Sequence, residues 1–96
     1  MKQMYEPDIK KDLDKILFKL YKRDKEQYFK VKKKIIYLQE NPFHAYKFLK
    51  EPLQGYNRVH VTGSFVLIFR INHTNRTIEL KHYDHWDNVY KWRPKE

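Results

Sequence analysis

The side chains able to do chemistry are concentrated between Tyr56 and Tyr90, and their spacing is that of strands. Val59 and Val61 alternate with Arg58 and His60. Phe65, Leu67, Phe69 and Ile71 alternate with Val66, Ile68 and Arg70, and Ile78 and Leu80 with Glu79 and Lys81. A period of two sends successive residues to opposite faces of a sheet. Keeping the apolar sets of neighbouring strands on one face requires Val61 opposite Phe65, Val59 opposite Leu67 and Phe69 opposite Leu80. The reverse face is then predicted to carry three rows: His60 with Val66 and Tyr83, Arg58 with Ile68 and Lys81, and Tyr56 with Arg70 and Glu79. His85, two residues beyond Tyr83, keeps its parity if the strand continues that far.

That grouping suits one reaction in particular. Cutting RNA without a metal needs a group to take the proton from a 2′-hydroxyl, cations around the phosphorane, and an acid for the leaving 5′-oxygen. His60 and His85 suit the two proton transfers near neutrality, although surrounding cations favour neutral imidazole and so the base role. Arg58, Arg70 and Lys81 are placed to hold phosphate, with Glu79 orienting Arg70. Tyr56, Tyr83, Trp86 and Tyr90 offer faces on which splayed bases can stack.

Other chemistries find less support. His82-Tyr83-Asp84-His85 invites a metal, but strand parity sends His82 to the helix-covered face and His85 to the other, so no metal site is expected. Ser64 is the sole serine and sits in no nucleophile elbow. Two glycines cannot build a phosphate loop, and His44 and His73 read as connector and turn residues. No cofactor is called for.

The elements that must position these residues follow from the remaining pattern. Ile9, Leu13, Ile16, Leu17, Leu20 and Tyr21 mark one face of a helix whose start is predicted at Pro7-Asp8. Tyr28, Val31, Ile35 and Leu38 mark a second, stopped by Asn41-Pro42, with Lys30, Lys32, Lys33 and Lys34 outside. Phe43 to Gly55 reads as a connector with one helical turn, closed by Pro52 and Gly55. Thr62-Gly63-Ser64 and His73-Thr74-Asn75-Arg76 are turns, and Lys2 to Tyr5 suits a short first strand. The expected fold is α+β: an N-terminal helical pair packed on a small, mainly antiparallel β-sheet, with 1–96 as a single domain.

With 21 Lys and Arg against 12 Asp and Glu, the net charge is +9, which asks for a polyanionic partner: nucleic acid, an anionic membrane surface or an acidic protein. Both helices need their apolar stripes for the core, which argues against the membrane. The chain has no Cys, no apolar core of signal-peptide length between Met1 and Ile9, and no stretch of spanning length, so a cytoplasmic protein is expected. Sixteen aromatic residues, eight of them Tyr, fit core filling and base stacking alike.

The stretch Pro52-Leu53-Gln54-Gly55-Tyr56, through His60-Val61 to Phe65-Val66-Leu67-Ile68-Phe69, resembles the RelE/ParE toxin superfamily, nearest its YafQ branch. The tail His85-Trp86-Asp87-Asn88-Val89-Tyr90 resembles the closing motif of many RelE-like toxins. The resemblance implies a RelE-like fold, an endoribonuclease that cleaves messenger RNA in the ribosomal A site by 2′-hydroxyl attack, and an acidic antitoxin that wraps the toxin. By position, His60 matches a catalytic histidine, Lys81 an arginine, His85 the C-terminal histidine and Tyr90 the terminal aromatic, with Val89 the alternative. Glu51 stands where that branch carries a histidine and Ser64 where it carries an aspartate; Arg58 has no counterpart there. Two other functions compete: a ParE-like inhibitor that poisons gyrase without chemistry, and a plain RNA-binding module in which His60 is incidental.

Overall fold

In the computed structural model, which describes residues 4–95, two helices cover one face of a five-stranded sheet ordered β1-β5-β4-β3-β2. The first strand, β1 (Glu6–Ile9), runs parallel to β5 (Thr77–His85); the pairs β2 (Lys47–Phe48) with β3 (Asn57–Thr62), β3 with β4 (Phe65–Asn72), and β4 with β5 are antiparallel. Two corrections follow at the N-terminus. Pro7 and Asp8 belong to β1 rather than to a helix start, and the strand begins after Tyr5; Lys2 and Gln3 lie outside the described residues.

Helix α1 (Lys11–Arg23) buries Leu13, Leu17 and Leu20 and carries Asp12 and Asp14 in its first turn and Lys22 and Arg23 in its last, which complements the helix dipole. Asp24 then leaves helical geometry and caps α2 (Lys25–Glu40), accepting from the Gln27 backbone N–H at 3.0 Å. That hydrogen bond holds the Asp24 carboxyl below its ordinary range. Val31, Ile35 and Leu38 of α2 join the α1 leucines and Leu67, Phe69, Ile78 and Leu80 of the sheet in the main core. The connector contains turns and the two-residue β2 instead of a helical turn.

The predicted register holds for Val59 with Leu67, Arg58 with Ile68, His60 with Val66, Phe69 with Leu80 and Arg70 with Glu79. Two bulges break it. Val61 is an extra residue on β3, so Thr62 and not Val61 faces Phe65. Lys81 is an extra residue on β5, between the pairs Phe69–Leu80 and Ile68–His82. A bulge adds one residue to one strand only, so side-chain alternation reverses beyond it. Tyr83 therefore pairs with Leu67 and enters the core instead of joining His60 on the reverse face, and the expected faces of His82 and His85 are exchanged.

The reverse face is not an open cationic surface either. Leu49 and Leu53 of the connector and Val89 of a short C-terminal helix, α3 (Trp86–Val89), pack on Val66 and Ile68, with Tyr56, Tyr90 and Trp92 around them. This second, smaller core clamps connector and tail against the sheet and leaves only its margin for a site.

Candidate functional site

At that margin three segments meet. Arg58 projects from β3, and its guanidinium carbon lies 4.8 Å from the centroid of the Trp86 ring at the start of α3. Trp86 stays 38% exposed and is anchored by its backbone N–H, which donates to the Ser64 carbonyl at 2.7 Å. The Tyr90 ring meets Trp86 edge to face at 5.8 Å, and its phenolic oxygen accepts the Lys50 backbone N–H at 2.9 Å. Arg58, Trp86 and Tyr90, together with Phe48, Lys50 and Glu51 of the connector, enclose a cavity of about 430 Å³. A guanidinium, a carboxylate, a phenol and two open aromatic faces thus share one small space.

The other predicted site residues are distributed differently. His60 shares the face of Arg58 on β3, nearer the hairpin turn, and its Nε2 donates to the Gly63 carbonyl. His85 pairs with Phe65 on the helix side, and its ring packs edge-on against that phenylalanine at 5.4 Å. Its Nδ1 accepts the Asp87 backbone N–H at 3.1 Å as the cap of α3, so neutral His85 carries its proton on Nε2. The Asp87 carboxylate lies 3.5 Å from the same Nδ1. His60 and His85 therefore face opposite sides of the sheet.

Lys81, expected in one row with Arg58, is 3% exposed and sits in the bulge with its Nζ 3.6 Å from Glu79 Oε1. Arg70 reaches the same oxygen at 3.4 Å, as its expected orientation by Glu79 requires. Arg70 and Lys81 also lie over Tyr56, at 5.1 and 5.9 Å from its centroid, while Trp92 meets that ring edge-on. Tyr56 is therefore engaged within the protein. Tyr83 is 5% exposed, stacks on Phe65 and donates its hydroxyl to Gln27 Oε1 at 2.8 Å; burial, helped by Asp24, pushes its phenol up to about 12. It is a core residue that ties β5 to α2, which corrects its expected role as a base platform.

The bulge gives His82 a role that parity had hidden. Its ring stacks on Trp92 at 5.0 Å and 6°, Nε2 lies 3.4 Å from Asp84 Oδ2, and Nδ1 is buried with no hydrogen-bond partner. Burial lowers the His82 pKa, and Asp84 offsets this only in part. Because the unfolded chain takes up this proton more readily, stability is expected to fall as pH drops through about 6.5, the ordinary histidine value. Urea midpoints compared at neutral and mildly acidic pH should fall less for His82→Phe than for wild type; equal losses would place the acid-sensitive group elsewhere.

Phe48, Lys50 and Glu51 were not recognisable as site residues in the sequence, because the connector has no period that could assign its side chains to a face. The only local signal was Glu51, which stands out against the YafQ-like pattern.

No family model matches the chain. It is 47% identical over 88 residues, 92% of this chain and 93% of the other, to a candidate toxin named RelE4 from Methanocaldococcus jannaschii. The chain belongs to the RelE toxin family. This RelE-family chain is also 40% identical over 87 residues to a protein of Methanosarcina mazei, covering 91% of this chain and 100% of that one. Among solved structures it is similar to the toxin–antitoxin complex RelBE2 of Mycobacterium tuberculosis, with TM-score 0.71 and 22% identity over 88% of this chain and 94% of that one. It is likewise similar to YafQ of E. coli, with TM-score 0.69 and 18% identity over 90% and 98%. At these identities the solved structures establish the RelE-like α+β fold. No helix among the described residues is long and apolar enough to cross a membrane.

Proposed function

We propose that this RelE-family toxin is a metal-independent endoribonuclease that cuts messenger RNA in the ribosomal A site and is held inactive by an acidic antitoxin protein. The observation that carries the reading is the cavity in which Arg58 lies over Trp86 beside Glu51 and Tyr90. Arg58 holds the scissile phosphate and stabilises charge that develops on it, while Trp86 and Phe48 stack the flanking bases. Glu51 takes the 2′-hydroxyl proton as the 2′-oxygen attacks phosphorus. The P–O5′ bond breaks, and His60, on the face of Arg58, gives a proton to the departing oxygen. The products are a 2′,3′-cyclic phosphate and a 5′-hydroxyl. In this reading Tyr90 orients the connector, and Lys81, Arg70 and His85 brace the surroundings rather than touch the reacting atoms. The antitoxin is supported by the net charge of +9 and by family membership.

Expression without a partner is expected to arrest growth and fragment translated messages, with the cleaving activity of purified protein on programmed ribosomes insensitive to EDTA. Mapping 5′ ends with and without translation tests this. Growth arrest with intact messages would overturn the nuclease and favour a gyrase poison.

The phosphate contact has its own signature. Arg58→Gln should weaken binding to RNA or ribosomes and flatten the dependence of log affinity on log salt by roughly one unit, through loss of one counterion-releasing contact. An unaltered slope would put Arg58 away from phosphate.

A further inference from the structure

The cavity at Arg58 does not end at Phe48. Phe48 also lines a second cavity of about 520 Å³, and Phe43, His44 and His73 line both that one and a third of about 760 Å³, which reaches Tyr5 and Arg76. The three adjoin in sequence from the Trp86 end of the sheet to the turn after β4. β4 has eight residues, a span of roughly 25 Å at the usual rise of ~3.3 Å per residue.

The far end is built around an aromatic face. Phe43 is 79% exposed, yet its ring is held parallel to His73 at 5.0 Å and 13°. Buried Tyr5 supports both rings edge-on, at 5.9 and 5.6 Å, and its hydroxyl is hydrogen-bonded to His73 Nδ1 at 2.9 Å. Phe48, between the two ends, is 66% exposed. Core filling explains none of these open faces. The cavities carry Lys50, Arg58, Arg70 and Arg76 against the carboxylates Glu40 and Glu51, and open aromatic rings interleaved with cations are the recurring form of a surface for unpaired nucleotides.

We propose that the Phe43–His73 pair is a second base-stacking site, and that the three cavities form one track for single-stranded RNA leading from the cleavage pocket along the β2 edge. The track rests on the nuclease reading for its near end. A strand whose scissile phosphate sits at Arg58 continues past Phe48, and a base several nucleotides away stacks on Phe43. The substrate is thus an extended, unpaired stretch, read by stacking and backbone charge.

The test is fluorescence anisotropy of the whole protein with a labelled 2′-O-methyl oligouridylate of about 12 nucleotides, which lacks the attacking hydroxyl. Phe43→Ala is expected to weaken binding by roughly tenfold, about what one lost stacked base removes, and Phe43→Trp to restore it. Trp86→Ala should weaken it independently. If Phe43→Ala binds as wild type while Trp86→Ala does not, the track is overturned, the cleavage pocket stands, and the exposed aromatics are left to a protein partner. If neither variant matters, the RNA reading of the near pocket fails with it. Failure of Phe43→Trp to restore affinity would make Phe43 a structural residue and overturn the stacking site.

Discussion

Glu51→Gln and His60→Ala are each expected to slow cleavage of programmed ribosomes by about 10²- to 10⁴-fold, the usual range for a general base or acid, with RNA binding and the urea midpoint preserved. Both side chains are exposed, so neither substitution opens a core cavity, and the pocket geometry is held by Tyr90 and the second core rather than by them. The amide of Gln keeps the shape of Glu51 while losing its capacity to accept the proton. Residual products should still end in 2′,3′-cyclic phosphate and 5′-hydroxyl, and a 2′-deoxy residue at the cleaved position should block the reaction. His85 supplies the contrast. As the cap of α3 it acts on Trp86 through the helix, so His85→Asn, whose Oδ1 can replace Nδ1 as the capping acceptor, is expected to cleave at a rate close to wild type. If His85→Asn loses as much activity as His60→Ala while Glu51→Gln keeps it, the two histidines divide the proton transfers and the carboxylate is a bystander.

Leu53→Ala should lower unfolding free energy by about 2–5 kcal/mol, the range for truncating a buried leucine, a large share of the ~5–15 kcal/mol typical of a domain. Leu53 is fully buried in the second core with Ile68 and Val89. The same change should loosen Lys50 and Glu51 on one side and α3 on the other, so RNA affinity should fall even where the protein remains folded. Urea denaturation read by tryptophan fluorescence gives the first quantity and anisotropy at low denaturant the second. An unchanged midpoint would mean that connector and tail contribute nothing to holding the sheet. A lowered midpoint with unchanged affinity would detach the pocket from that core.

The local pattern of residues was enough to place both helices, the three long strands and most of their pairing. Apolar side chains at helical spacing, as at Leu13, Leu17 and Leu20, or alternating as at Phe65, Leu67 and Phe69, bury one face whatever packs on it. Elements without a period were less legible: β1 was expected four residues early, β2 read as part of a connector, and α3 was assigned no element. Edge strands this short are selected by the neighbour that completes their hydrogen bonds, and a four-residue helix by its cap and its docking surface.

For the site, local pattern and composition supplied the residue types: Arg58 and His60 on one face of one strand, Arg70 beside Glu79, an aromatic tail, and a strongly basic charge. Tertiary structure decided which of them meet. The bulge at Lys81 cannot be read from alternation, because one extra residue on one strand is favoured only by what each side chain finds across the sheet. Here Tyr83 gains Phe65 and Gln27, and His82 gains Trp92. That single insertion moved Tyr83 into the core, turned His85 away from His60 and withdrew Lys81 from the surface. Folding of the aperiodic connector onto Ile68 then brought Phe48, Lys50 and Glu51 to Arg58 and Trp86, a meeting of segments far apart in the chain that only packing of the second core against the sheet can specify.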